Sequence, residues 1–298
     1  MKLLIACHRI DEIAGSELYH YELCRELVRQ GQQVTLATYI PIGSAAASTS
    51  SYKLVPNLIE VGVKIISLQE LKLQTDTYDL AVVSQPHVTD FVCNVLPMLN
   101  KISIIHSPYR SETVVHHPSI KQYVAVDVFV YQFLKNTVKL PRDMVSLIFN
   151  GIDSTKFNIK EKHSLERTTG LYVGGWNDPL RTQMFNHIVQ ESVQNDWDLF
   201  VVGGTTRADG YPSNIKFFDG IYNIEIFMKA VDFTVGLGGR TLIEGWMCNI
   251  PGYVYKVTPE GTILDISLKY PPKTGRFHIQ NITKQHIKLY KDLSENNL

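Results

Sequence analysis

The sequence predicts an α/β protein of two successive domains, each built on a parallel sheet with helices on both faces. Three observations carry that reading. Short apolar β-like runs alternate with helical patterns along the chain, as they do where strands are joined by crossover helices. The runs are continuously apolar rather than alternating, which suits strands buried on both faces. The pattern breaks once, over Asn150 to Arg167, where NGIDSTKFNIKEKHSLER loses its apolar period and turns polar, and then it restarts. The expected layout is residues 1–155 for the first domain and 168–280 for the second, with a terminal helix over 281–298 free to return to the first.

The elements follow in order. Lys2 to Cys7 reads as a buried strand. Ser16 is placed to cap a helix whose apolar positions are Leu18, Tyr21, Leu23, Leu27 and Val28, and Gly31 to end it. Gln33 to Thr38 is the next strand, and similar runs recur at Val63–Ser67, Leu80–Val83, Ile102–Ile105, Val124–Val130 and Val145–Phe149. The second series is Gly170–Gly174, Asp198–Gly203, Ile215–Phe218, Phe233–Gly236 and Gly252–Tyr255, and a final helix is expected over Ile282 to Leu293. Gly43 to Ser51 (GSAAASTSS) is the one low-complexity stretch and is expected to be a mobile loop.

Composition narrows the function classes. The chain has 298 residues, 44% of them hydrophobic, enough for a large core in each of two domains. Lys+Arg and Asp+Glu both number 29, so neither nucleic acid nor an anionic membrane is the default partner. Cys7, Cys24, Cys93 and Cys248 form no CxxC pair and read as reduced thiols. The opening MKLLIACHRIDE has too short an apolar run for a signal-peptide core. No stretch reaches the roughly 18 apolar residues of a membrane span. A soluble cytoplasmic protein is expected, with peripheral membrane contact left open.

The chemistry concentrates in Asp232 to Tyr255, DFTVGLGGRTLIEGWMCNIPGYVY. A strand leads into Gly236, Gly238 and Gly239, and a helix is expected from Thr241, with Leu242 on it. Glycines let backbone N–H groups approach a ligand, and a helix N-terminus favours an anion. Arg240 adds a cation with a bidentate fork suited to phosphate. Glu244, expected in the first helical turn, can accept hydrogen bonds from ribose hydroxyls. A plain tight βα turn, with Glu244 serving only the helix dipole, remains the alternative. Gly15 and Ser16, Gly174 and Gly175, and Gly203 and Gly204 follow other strands, each a weak signal alone. His106 ends the strand ISII, as a sugar ligand, a proton carrier or a structural histidine. Asp196 and Asp198 precede their strand, and His116–His117 have no third ligand at metal spacing, so no metal site is expected. GxxxxGK[ST], GxSxG and an early GxGxxG are absent.

In AGSELYHYELCRELVRQGQQVTLAT, SIIHS, VSLIFNGIDSTKF and GGRTLIEGWMCNIPGYVYK, and so over most of its length, the chain resembles the retaining, GT-B-fold glycosyltransferases of family 4. AGSELYHYELCRELVRQGQQVTLAT resembles that family's N-terminal glycine-rich loop, helix and second strand, with Ser16 in place of a glycine. SIIHS resembles the strand ending in its active-site histidine, here His106. VSLIFNGIDSTKF resembles its asparagine–glycine–isoleucine–aspartate hinge at Asn150 to Asp153, closed by Phe157, and is the most specific match. LYVGG, DLFVVGG and IKFFDGI resemble strands of the nucleotide-sugar domain, and GGRTLIEGWMCNIPGYVYK resembles its glutamate-bearing helix.

The resemblance implies two Rossmann-like domains facing across a cleft. It implies transfer of a sugar from a nucleoside diphosphate sugar to a sugar, lipid or glycan acceptor, with retained configuration and no metal or other cofactor. His106, Arg240 and Glu244 would be catalytic. Gly15, Ser16, Gly174, Gly175, Arg181, Gly203, Gly220, Gly238, Gly239, Thr241 and Leu242 would line the donor site with Arg240 and Glu244. The chain departs from the family where Gly236 replaces the first of two glutamates and Gly175 replaces an arginine. The usual lysine matches only Arg181, with a one-residue slip. Another GT-B enzyme, such as a nucleotide-sugar epimerase, and a non-catalytic nucleotide-sugar binding protein are the competing readings.

Overall fold

The computed structural model describes residues 1–11, 15–39, 54–74, 76–107, 114–153, 155–157, 163–175, 179–203, 210–219, 223–236, 238–257, 263–265 and 277–295. The expected loop at Gly43–Ser51, together with Gly204 and Gly220, lies outside them. The chain divides into two compact units, Met1–Gly151 with Phe277–Leu298, and Ile152–Arg276.

The first unit carries seven strands, β1 (Lys2–Cys7), β2 (Gln33–Thr38), β3 (Lys64–Ser67), β4 (Leu80–Ser84), β5 (Lys101–Ile105), β6 (Ile120–Ala125) and β7 (Val145–Leu147). Its helices are α1 (Gly15–Arg29), α2 (Leu54–Glu60), α3 (Leu68–Leu71), α4 (Pro86–Val95) and α5 (Val128–Gln132). The strands lie in the order β3-β2-β1-β4-β5-β6-β7, all parallel. Burial explains the apolar strands: Leu3, Leu4, Ile5 and Ala6 of β1 and Leu80 to Val83 of β4 are fully buried between helical layers. The cation that opens β5, Lys101, is also fully buried, and its ammonium donates to the carbonyls of Leu96 and Leu99 and to Ser119 Oγ. Those three acceptors offset its desolvation.

The start of α1 and the end of β6 differ from expectation. Helix α1 begins at Gly15, so Ser16 sits inside its first turn instead of capping it. Gly31 does end it, at φ 80°, with Gln32 N–H bonded to Leu27 C=O and Gly31 N–H to Val28 C=O. The apolar run over Val124–Val130 splits, because Asp127 accepts a hydrogen bond from Val130 N–H and caps α5. A continuous apolar run cannot by itself distinguish strand from buried helix.

The second unit carries β8 (Thr169–Val173), β9 (Asp198–Val202), β10 (Ile215–Phe218), β11 (Phe233–Gly236), β12 (Gly252–Val257) and β13 (Ile263–Asp265), with α6 (Pro179–Gln194), α7 (Glu225–Met228) and α8 (Arg240–Met247). The order is β10-β9-β8-β11-β12-β13. All pairings are parallel except that of β13, which runs antiparallel to β12 at the edge. Met184, Phe185 and Ile188 of α6 pack on Leu199 and Val201 of β9.

The final helix, α9 (Ile279–Glu295), belongs to the first unit and packs on α1, where Tyr19 Oη lies 2.8 Å from His286 Nε2. Gly151 sits beneath its start. The sequence suggests a backbone angle that only glycine tolerates there, but Gly151 is not among the positive-φ glycines. The constraint is space: an added Cβ would lie 2.4 Å from Ile279 Cδ1 and 3.1 Å from Ile279 Cα. Gly151→Val is therefore expected to cost about 1–3 kcal/mol by overpacking against α9, read as a lower urea midpoint. An unchanged midpoint would show that α9 shifts freely. Among the described residues, no helix is long and apolar enough to cross a membrane.

Candidate functional site

In the second sheet the chain runs outward from β8 through β9 and β10, then returns to the other side of β8 as β11. Open α/β sheets bind ligands beyond the strand carboxyl ends at this reversal. Two of the strands there are followed by glycines, β8 by Gly174 and Gly175 and β11 by Gly238 and Gly239, with Gly236 at its end. The Tyr172 hydroxyl donates to Gly175 C=O at 3.3 Å, tying the first loop to its own strand. The second loop needs its glycines. Gly238 and Gly239 have φ of 89° and 75°, and an added Cβ on Gly238 would press on Val254 Cγ1 at 3.3 Å. Gly239 is the residue before α8 and supplies no side-chain cap. The first N–H groups of α8 thus have no cap from that side chain, and the partial positive end of the helix sits beside a bare loop.

Helix α8 starts at Arg240, one residue earlier than expected, which moves Glu244 from the first turn to the second. The two side chains meet: Arg240 Nε donates to Glu244 Oε1 at 2.7 Å, with 9% and 4% of the side chains exposed. Lys156 and Glu225 form a second pair at 3.4 Å. Burial holds the Lys156 ammonium below its usual pKa, and Glu225 and Glu244 oppose that shift while Arg240 reinforces it. Among the described residues, Lys156 and Arg240 thus share one cluster with Glu225 and Glu244. Its electrostatics reach Cys248, whose thiol is pushed up to about 12 by burial and then by Glu244 and Glu225. That thiol donates to Phe157 C=O at 3.4 Å. Lys156 was not legible as a site residue, because nothing in its local pattern links it to a helix so far along the chain.

The remaining second-unit candidates gather more loosely. Thr241 and Leu242 lie in the first turn of α8, and Leu242 is the residue against which Gly252 packs. Arg181 is half-buried in the first turn of α6, which follows the β8 loop. Gly203 approaches the Gly174 backbone, whose N–H bonds to Val202 C=O at 2.9 Å.

In the first unit, His106 directly follows β5 and is half-buried. Its ring packs edge-on against Tyr19 and His20, with centroids 5.0 and 5.3 Å away. Burial, then neighbouring His20, holds its imidazole well below the ordinary pKa. It is thus neutral at pH 7 and able to donate or accept a hydrogen bond. His20 is fixed between Ser16 C=O at 2.6 Å and Ser84 Oγ at 2.8 Å, so His106 stands on an ordered base. Ser16 takes part through its carbonyl, while its hydroxyl donates to Glu17. An added Cβ on Gly15 would meet nothing within 4 Å. No group of three or more His, Cys, Asp or Glu residues placed to hold a metal occurs among the described residues.

No family model matches the chain, and no curated protein matches it. Solved structures do. A glycosyltransferase from Rickettsia africae superposes with a TM-score of 0.71 at 13% identity, over 99% of each chain. A variant of S. aureus TarM, in complex with fondaparinux, alpha-GlcNAc-glycerol and UDP, gives 0.63 at 10% identity over 99% of this chain and 96% of that one. S. aureus MnaA bound to UDP gives 0.57 at 11% identity over 97% and 87%. With two parallel-sheet α/β units matched along nearly their whole length, the chain has the fold of the GT-B glycosyltransferases.

Proposed function

We propose that the chain is a metal-independent glycosyltransferase of the retaining, family 4 type, using a nucleoside diphosphate sugar and a hydroxyl-bearing acceptor. The observation that carries this reading is the bare Gly238–Gly239 loop running into the Arg240-headed helix at the switch point of the second sheet. A cation in the first turn of a helix is unfavourable, and an Arg-to-Glu pair in this order opposes the helix dipole. Both features are relieved by an anionic ligand at the helix N-terminus. UDP in the TarM and MnaA structures is an anion of that kind.

On this reading the second unit holds the diphosphate. Negative charge grows on its oxygens as the sugar departs, and Arg240, Arg181 and the loop N–H groups stabilise that charge. Glu244 orients Arg240 and accepts from the ribose. His106, neutral and held by Tyr19 and His20, hydrogen-bonds a hydroxyl of the transferred sugar. The setting is the cytoplasm, with no cofactor required.

A thermal-shift screen over UDP-, GDP-, ADP- and TDP-sugars tests the reading. One of them should raise Tm, because a ligand at a hundred times its Kd adds about 2.7 kcal/mol to the native state. No shift with any of them would end the proposal. A shift without turnover on any acceptor would favour the nucleotide-sugar binding protein. Free sugar released without an acceptor would favour the epimerase. Turnover should survive excess EDTA, and activity restored only by manganese or magnesium would overturn metal independence. His106→Ala should lower the transfer rate far more than affinity for the bare nucleoside diphosphate, which lacks the sugar.

A further inference from the structure

The first sheet has its own reversal, between β1 and β4. His8 follows β1, Tyr39 follows β2, and Gln85 and His87 follow β4. Their side chains meet at the carboxyl ends of these strands. His8 Nδ1 and His87 Nε2 lie 2.7 Å apart, so the two imidazoles share one proton across that contact. Tyr39 stacks on His8 at 5.7 Å and stands edge-on to His87 at 5.0 Å. Tyr39 is 48% exposed, and His87 is exposed as well. The backbone beside them is strained. Gln85 has φ 62° and ψ 139°, a conformation that side-chain-bearing residues rarely adopt. Its Oε1 accepts from His8 N–H at 3.1 Å. Strain of this sort gathers at ligand sites.

The chemistry of the cluster selects its ligand. The cation beside it, Arg9, is buried and paired with Asp11 at 2.8 Å. Burial, then His87 and Arg9, hold His8 below the ordinary imidazole range against Asp11. Burial does the same to His87 against Asp90. Neutral imidazoles both donate and accept, as hydroxyl groups do. An exposed aromatic ring offers an apolar face to the C–H face of a pyranose.

We propose that this cluster is a carbohydrate subsite, in which His8 and His87 hydrogen-bond neighbouring hydroxyls of a neutral sugar or polyol and Tyr39 covers its apolar face. That this sugar is the acceptor rests on the transferase reading above; the subsite itself does not. The test is imidazole nitrogen NMR on the full chain, without nucleotide, titrated with methyl α-glucopyranoside, methyl α-N-acetylglucosaminide and glycerol. At least one probe should shift the His8 and His87 signals saturably and leave those of His116 and His117 in place. His87→Ala and Tyr39→Ala, both at exposed positions, should each weaken that probe by about tenfold, the loss of one good contact. His87→Asn, whose amide can still donate and accept, should keep part of the affinity. Affinity of His87→Ala for UDP should equal that of the unaltered chain. The proposal is overturned if no probe moves the two signals, if neither alanine variant weakens binding, or if His87→Ala loses UDP instead. A chain that binds the sugar but no nucleoside diphosphate would refute the transferase reading and leave this one standing.

Discussion

Arg240→Ala is expected to destabilise the second unit by about 3–5 kcal/mol, an effect well beyond that of an ordinary surface charge. Arg240 and Glu244 are paired at 2.7 Å and nearly inaccessible. Removing the guanidinium leaves a buried carboxylate without the cation it is paired to. Such a pair contributes little net stability when intact, since desolvation offsets its attraction, but breaking it strands one charge. Glu244→Gln should cost less, about 1.5–3 kcal/mol, because the amide oxygen still accepts from Nε–H. All three tryptophans, Trp176, Trp197 and Trp246, fall within this unit, so fluorescence reports its unfolding directly. The same variants test the site. If Arg240 holds the diphosphate, ligand affinity should drop for Arg240→Ala under conditions where the fluorescence is still native. Affinity that stays intact while stability falls would assign the pair to the fold alone.

Acid should unfold the first unit before the second. His20 and His286 are buried, and burial holds their imidazoles to about 4 and about 3. The bond from His20 to Ser16 C=O offsets its shift in part. An unfolded histidine titrates near 6.5. Above that pH neither state binds the proton and these groups contribute nothing. Below it the unfolded chain gains protons that the folded chain refuses, so stability falls. The slope is about 1.4 kcal/mol per pH unit for each group. Two groups then remove about 6 kcal/mol by pH 4, comparable with the whole stability of a typical domain. His106 steepens the loss. Far-UV circular dichroism in urea, at pH 7 and at pH 5, should show the midpoint falling while tryptophan fluorescence of the second unit lags behind. His286→Gln should remove about half of the two-histidine slope. Equal midpoints at the two pH values would mean that the imidazoles reach water.

The strands were readable from the chain because burial on both faces demands continuous apolar runs, as in KLLIAC and LAVVS. The glycine loop before α8 was readable for a similar reason: consecutive positive-φ positions restrict residue type, and that restriction is local. Local information stops there. The run from Val124 to Val130 hid a helix, because only Asp127 and the neighbouring layer decide where β6 ends. Glu244 was visible as a lone acid, yet its partner follows from where α8 begins, a boundary that sequence places only to within a residue or two. Lys156 meets Glu225 across 69 positions, and Tyr19 meets His286 across 267. The His8–His87 pair exists because β1 and β4 are neighbours in the sheet although two strands intervene in the chain. Sequence alone determined the fold class and the glycine loop before α8, since backbone angle and burial select residues one position at a time. The tertiary structure alone decided which charges and imidazoles face each other, because strand order brings together residues that share no local pattern.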